Sequence, residues 1–272
     1  MFLRPRKHPF ALFGTLIAIA VLLAGCGSTL ETANVKKADQ VAVPIITVDQ
    51  HIDLSALQEE GTLASGAGAG TLAQRLLQNE KFDLSPMVDL LDSKTYGPYA
   101  KRLPVTVMKE KNVIQTKRYR NFQLLDKASR DERLQNLNRL LVPEGYKKYN
   151  LGQDAPLADR QQKMFGAVPQ EADALLFVSA DYAMIEDNPF WYWFLPISPD
   201  RAYIEATVRM EMVDRNGNTI LEISRTERSN NHVNTVGGVT MEPSKIQPLC
   251  EEATKQAVAA IDKVTKEKLA GS

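Results

Sequence analysis

Histidine and cysteine are scarce in this chain of 272 residues, which contains 3 His and 2 Cys. These counts leave too few soft ligands for a structural zinc site and exclude a scaffold built on several disulfides. The chain also has no excess of charge of either sign, because 33 Lys and Arg residues balance 33 Asp and Glu residues. We therefore predict no metal, no cofactor and no nucleic-acid partner, since a uniformly basic surface is not expected.

The first 26 residues have the layout of a bacterial lipoprotein signal peptide. Three basic residues precede an apolar stretch at 10–23, which suits a signal peptide and is short for a membrane span of about 20 residues. The stretch ends in Leu23-Ala24-Gly25-Cys26, which resembles a lipobox, in which the cysteine is acylated and becomes the new N-terminus. We predict a signal peptide at 1–25 and lipidation of Cys26. The alternative is an uncleaved N-terminal anchor.

Both interpretations place the rest of the chain outside the cytoplasm. By resemblance to enterobacterial sorting, Gly27 favours the outer membrane, with the body in the periplasm. Residues 26–40 are polar and without apolar periodicity, which indicates the lipidated N-terminus and a flexible tether. Residues 41–272 then form a single α/β domain. Cys250 would be its only thiol, and its place on the apolar side of a predicted helix indicates a buried core position.

The apolar pattern predicts an α/β (α+β) fold with a mixed sheet and helices packed on the sheet. A β-rich segment at 41–48, a continuous apolar run at 174–178 and an alternating run at 204–212 predict strands. Asn216-Gly217 predicts the turn of a C-terminal β-hairpin whose second arm is 219–228. Short helices are expected at 85–91 and 157–168, and a closing helix after a capping box formed by Ser244 and Gln247.

Three segments carry a resemblance to a group of envelope proteins. They are QEADALLFVSADY at 170–182, the hairpin RMEMVDRNGNTILE at 209–222 and the helix after Ser244. Together they resemble the α/β domain of periplasmic lipoproteins such as the curli-secretion channel subunit CsgG, the penicillin-binding-protein activator LpoB and the N-terminal domain of TolB. The resemblance implies an α/β periplasmic domain, and it supplies no signature of chemistry.

The segment 101–148 differs from the rest of the chain in charge. It has 13 Lys and Arg residues against 5 Asp and Glu residues, and it contains a predicted strand at 105–108 and a leucine-faced helix at 134–141. One interpretation is a solvated basic face whose aromatic residues lie in the core. The other is an anion-binding patch that includes Lys117, Arg118 and Arg120 and faces phospholipid, lipopolysaccharide, a cell-wall polymer or an acidic partner.

Five consecutive aromatic residues stand between Pro189 and Pro196. They are Phe190, Trp191, Tyr192, Trp193 and Phe194. The flanking prolines favour a loop over the interior of a strand. Tyr and Trp combine apolar area with a polar group, so this loop is predicted to contact a partner or a membrane. The alternative is a loop that folds back over its own core.

No catalytic motif stands out in the sequence. After removal of the signal peptide only His51 and His232 remain as imidazole bases, and neither lies in a recognisable motif. Asp181, Glu186 and Asp187 could bind a cation or act as an acid/base pair, but no second cluster supports them. The sequence thus favours a non-enzymatic envelope protein that binds a protein or envelope component and assists assembly or regulation. The alternatives are a subunit of an oligomeric secretion pore, then a hydrolase without a recognisable motif.

Overall fold

The structure is a computed structural model, and it describes residues 29–30, 35, 38–55, 82–122, 139–148, 157–187, 200–236, 239–240 and 243–270. Nine strands of the described chain form one sheet. They are β1 (Thr29–Leu30), β2 (Gln40–Asp53), β3 (Thr106–Val107), β4 (Leu140–Leu141), β5 (Ala174–Asp187), β6 (Asp200–Asp214), β7 (Thr219–Arg228), β8 (Val233–Val236) and β9 (Val239–Thr240).

Helices connect and cover these strands. They are α1 (Ser85–Lys94), which continues through a π-helical turn (Thr95–Tyr99) into α2 (Ala100–Arg102), then α3 (Glu110–Ile114), α4 (Lys117–Asn121), α5 (Leu157–Met164) and α6 (Ile246–Ala270). A short 3-10 turn, Pro243–Lys245, precedes α6. The mixed α+β fold that the sequence predicts is confirmed.

The sheet runs in the order β1-β7-β6-β5-β2-β3. β5 is parallel to β2 and antiparallel to β6, so the sheet is mixed. β5 is central because its residues 174–178 are apolar and buried on both faces, as predicted for a continuous apolar run. Outside this path, β4 pairs with β2, β8 pairs with β6 and β9 pairs with β8.

The predicted hairpin is formed by β6 and β7. Gly217 has φ +81°, a backbone conformation that glycine adopts without the penalty of a Cβ. The Asp214 carboxylate accepts hydrogen bonds from the backbone N–H groups of Asn216 and Asn218, at 2.8 and 2.9 Å. This side chain fixes the turn because it satisfies two donors that the tight reversal leaves without strand partners.

The closing helix packs on one face of the sheet, against β6 and β7. Its buried residues include Leu249, Cys250, Ala253, Ala257 and Ile261, so the predicted core position of Cys250 is confirmed. The predicted capping box is wrong in its details. The helix begins at Ile246, and the Gln247 side chain accepts a hydrogen bond from the N–H of Asp83 at 3.0 Å instead of capping its own helix.

The described parts of the basic segment, 101–122 and 139–148, differ from the sequence prediction at two places. The predicted strand at 105–108 shortens to β3, and Leu140 and Leu141, predicted on a helix, form β4 on the edge of β2. The predicted helix at 85–91 has Leu84 as its N-cap, and the N–H of Ser85 donates to the Asp83 carboxylate at 2.8 Å. That helix continues to Lys94.

Part of the range predicted as a tether belongs to the folded body. Thr29 and Leu30 pair with Glu222 and Leu221 of β7 in an antiparallel arrangement. Val35 is fully buried and Ala38 is 6% exposed. A free tether therefore does not describe these residues, and the sheet begins three residues after Cys26.

Candidate functional site

The predicted anion-binding residues lie on α4, a single helical turn that we call the basic turn (residues 117–121). Lys117, Arg118 and Arg120 are exposed, whereas Tyr119 between them is fully buried. Successive helical residues are rotated by about 100°, so burial of Tyr119 directs Lys117 and Arg120, three residues apart, away from the core. The Thr116 hydroxyl begins the turn by accepting from the N–H of Tyr119 at 3.1 Å.

The Tyr119 hydroxyl fixes the basic turn to the sheet. It donates to the carbonyl of Pro44 in β2 at 2.8 Å and accepts from the N–H of Lys147 at 3.0 Å. The β2–β5 register shifts between Ala42 and Ile45, so Pro44 lies in a bulge. A bulge frees backbone groups from the ladder, and here a side chain satisfies the freed carbonyl. Burial raises the pKa of Tyr119 to about 12, so its hydroxyl stays protonated and able to donate.

Lys147 binds the C-terminal end of the basic turn. Its ammonium group donates to the carbonyls of Arg120 and Phe122, the second at 2.9 Å. Cations near the last carbonyls of a helix are favourable, because these carbonyls lack intrahelical partners. Desolvation lowers the pKa of Lys147. The basic turn is thus held at its buried side chain and at its last carbonyls.

Tyr146 of the basic segment packs beside Tyr119 beneath this turn. The rings of Tyr119 and Tyr146 meet edge to face, with centroids 6.4 Å apart. The Tyr146 and Tyr96 hydroxyls lie 2.7 Å apart in a hydrogen bond, and Tyr99 donates to the carbonyl of Val258 in α6 at 2.8 Å. Tyr119, Tyr146 and Tyr99 are buried in the core, whereas Tyr96 is half-buried.

The charge of the basic segment divides into two groups. Arg102 forms an ion pair with Asp262 of α6, Arg139 pairs with Asp49 at 3.0 Å, and Arg118 donates to the carbonyl of Val168 at 3.3 Å. Within the described ranges, no carboxylate lies at ion-pair distance from Lys117 or Arg120. These two residues are exposed members of the predicted patch that have no ion pair with a described carboxylate.

A second polar group lies on the sheet itself. Asp49 of β2 is 8% exposed, and its carboxylate accepts from the N–H of His51 at 2.8 Å and pairs with Arg139. Burial raises the pKa of Asp49, although the His51 N–H and the Arg139 charge oppose the shift. Asp181, on the neighbouring strand β5, lies within electrostatic range of Asp49 and Arg209.

Asp181 was one of three acids that the sequence singled out. The structure brings it near Asp49, which sequence reasoning missed, while the side chains of Glu186 and Asp187 lie outside those described. Among the described residues, no group of three or more His, Cys, Asp or Glu side chains could hold a metal ion. The side chains of His51 and His232 are exposed.

Two predicted sites lie outside the described residues. They are the lipidation site, Cys26, and the aromatic run from Phe190 to Phe194. The strands on either side of the aromatic run are described, and Asp187 of β5 pairs with Arg201 of β6. Among the described helices, none is both long enough and apolar enough to span a membrane.

Comparisons with protein-family models, with curated proteins and with solved structures found no match to this chain.

Proposed function

We propose that this protein is a lipid-anchored, non-catalytic protein of the bacterial outer membrane, with its body in the periplasm. In this proposal it binds an anionic envelope component through the basic turn and thereby assists assembly or regulation of the envelope. The observation that carries the proposal is the pairing of exposed Lys117 and Arg120 with the fully buried Tyr119. A held cation binds an anion at a lower entropic cost than a mobile one.

The anchor is supported by the order of features in the sequence. Basic residues, an apolar run, two small residues and Cys26 occur in the order that lipoprotein processing requires. Two or three acyl chains hold a protein on a membrane far more firmly than one chain. Replacement of Cys26 by serine should release the protein from the membrane fraction, and labelling with a palmitate analogue should disappear. Persistent labelling of that variant would contradict the assignment of the lipid to Cys26.

The segment 105–114 gives no support to the alternative of a pore subunit. A membrane-crossing strand needs about 9–11 residues that alternate between apolar and polar, and in 105–114 this alternation is broken by Lys109-Glu110-Lys111. In the structure, residues 110–114 form α3, and the strand before it has two residues. We therefore prefer the binding function.

Charge reversal on the basic turn tests the binding function directly. The chain from Gly27 onward, without signal peptide or lipid, keeps every described residue. It is mixed with vesicles containing phosphatidylglycerol and, separately, with purified peptidoglycan fragments. The triple change Lys117→Glu, Arg118→Glu and Arg120→Glu should weaken binding to one of these anions by a factor on the order of 100, since each basic residue near an anionic surface contributes about 1 kcal/mol.

The matched control reverses three exposed lysines elsewhere. Lys255, Lys263 and Lys266 lie on α6, so their replacement by glutamate changes the net charge equally and leaves the basic turn intact. Wild-type binding should also fall as salt is raised, because exposed charges are screened over about 8 Å at physiological ionic strength. Equal binding by the two triple variants would show that only net charge matters and would refute the site.

A further inference from the structure

The connection between Cys26 and the sheet limits where the membrane can lie. Two residues separate Cys26 from Thr29, which is already paired with β7. Consecutive Cα atoms are 3.8 Å apart, so the Cα atoms of Cys26 and Thr29 can be at most about 11 Å apart, whatever the path between them. A lipid on Cys26 is therefore attached close to the β7 edge of the sheet.

The basic turn lies at the opposite edge. β3 pairs with the start of β2 and β4 with its later part, and Tyr119 bonds to β2 between them, at Pro44. The register across the sheet allows a direct comparison of the two edges. Thr29 pairs with Glu222 of β7, Glu222 with Glu211 of β6, Glu211 with Phe177 of β5 and Phe177 with Ile45 of β2.

This row of paired residues runs straight across the sheet from Thr29 to Ile45, which is next to Pro44. The two residues are four strand spacings apart. Neighbouring strands are separated by about 4.8 Å, so the two edges are roughly 19 Å apart along the row, and the basic turn lies beyond the second edge. Residues of β2, β5, β6 and β7 share one buried hydrophobic core. A body attached at one edge presents its other edge away from the attachment.

The chemistry of the distal edge also restricts the partner. Protein interfaces usually depend on aromatic anchors in their centre, but Tyr119 and Tyr146, the tyrosines beneath the basic turn, are buried in the core. Lys117 and Arg120 offer charge alone, which suits a polymer that carries regularly spaced negative charges.

We infer that the β7 edge is the membrane-proximal side of the anchored protein, and that the basic turn is the distal side and binds an anionic cell-wall polymer. This inference rests on the proposed lipid anchor at Cys26. The proposed function left two kinds of anion open, phospholipid and a cell-wall polymer. With the basic turn on the distal side, the expected ligand is the cell-wall polymer and not the phospholipid of the anchoring bilayer.

The orientation can be measured on the full lipidated protein reconstituted into liposomes. Single cysteines are introduced by Thr226→Cys on β7 and by Asn112→Cys on α3, both at exposed positions. The Cys26 sulfur is blocked by lipid and Cys250 is fully buried, so a maleimide fluorophore reacts only with the introduced thiol. Spin-labelled lipid headgroups then quench fluorophores near the bilayer. Quenching should be at least threefold stronger at 226 than at 112.

A linker control separates the short connection from an intrinsic affinity for lipid. Insertion of twelve Gly and Ser residues after Gly27 should reduce quenching at 226 towards the value at 112, because the edge is no longer held near the bilayer. Equal or stronger quenching at 112 in the protein without the insert would overturn the inferred orientation.

The partner is tested on the same liposomes. Added peptidoglycan fragments should bind the anchored protein, and the charge reversal at 117, 118 and 120 should weaken this binding at least tenfold, while the reversal at 255, 263 and 266 should not. Absence of binding to the fragments, or capture only of an acidic protein, would overturn the choice of partner. Two other measurements test the lipid anchor independently of the partner. If the anchor were absent, mass spectrometry would show no acyl chains and the protein would not float with the liposomes.

Discussion

Tyr119→Phe tests whether one hydroxyl holds the basic turn on the sheet. The change keeps the buried ring and its edge-to-face contact with Tyr146, and it removes the bonds to the Pro44 carbonyl and the Lys147 N–H. A buried polar group left without a partner costs about 1–3 kcal/mol. The Pro44 bond is buried and should cost this amount, whereas the Lys147 N–H is partly buried and water can replace its partner.

The expected loss is therefore about 2 kcal/mol in the free energy of unfolding. For a domain of this size each kcal/mol lowers the melting temperature by about 2–4 °C, so the decrease should be roughly 4–8 °C. Urea unfolding monitored by circular dichroism gives the free energy, and calorimetry gives the melting temperature. Binding of peptidoglycan fragments by the folded variant should also weaken several-fold, since Lys117 and Arg120 lose their fixed support.

Tyr99→Phe is the matched control for this experiment. It removes the same atom from another buried tyrosine, whose hydroxyl donates to Val258 of α6, on a different part of the fold. The control should lower stability by about 1–3 kcal/mol and leave binding of the fragments unchanged. If Tyr119→Phe were as stable as the wild type, or if both variants weakened binding equally, the proposed support of the basic turn would be refuted.

The buried carboxylate Asp49 makes stability depend on pH. Because burial raises its pKa, the folded state favours the protonated form, so the contribution of Asp49 is most favourable below about pH 4 and declines as pH rises through the folded-state pKa. The difference in unfolding free energy, wild type minus Asp49→Asn, should thus decrease between pH 4 and 7, as measured by urea unfolding. Asp53→Asn is the control, because the Asp53 carboxylate also accepts from a backbone N–H two residues later but is exposed. If the difference for Asp49→Asn did not change with pH, the proposed effect of burial on the Asp49 pKa would be contradicted. Replacement of Trp191 and Trp193 by serine should abolish partner or membrane contact with little loss of melting temperature if the aromatic loop is exposed, because interface anchors commonly contribute 2 kcal/mol or more. A fall of several degrees in the melting temperature of that double variant would instead support a loop packed on its own core.

Local sequence patterns predicted the parts of the fold that local chemistry determines. Strict alternation and Asn216-Gly217 predicted the hairpin, because a tight turn and a half-buried strand both leave short-range signals. The continuous apolar run at 174–178 predicted the central strand, because a strand that is covered on both faces is apolar at every position. The closing helix was also evident, although its start was not, because Pro243–Lys245 forms a separate turn before it.

Contacts between distant residues could not be predicted in this way. The hydroxyl of Tyr119 bonds to a carbonyl 75 residues earlier, and only a bulge at Pro44 makes that carbonyl available. β1 has two residues and pairs with β7 almost 200 positions away, so it leaves no periodic signal and was assigned to a tether. Asp49 and Asp181 come together only because β2 pairs with β5, which is distant in the sequence.

Net charge counted along the sequence overstates the surface available to an anion. In the basic segment, Arg102, Arg139 and Lys147 are used to hold α6, β2 and the basic turn in place. Charges used in this way are already neutralised or bonded, so they contribute little to the field that an incoming polymer meets. The proposed anion binding therefore depends on Lys117 and Arg120, whose direction is set by the burial of the tyrosine between them. A single buried hydroxyl thus links the bulge in β2 to the direction of two surface charges.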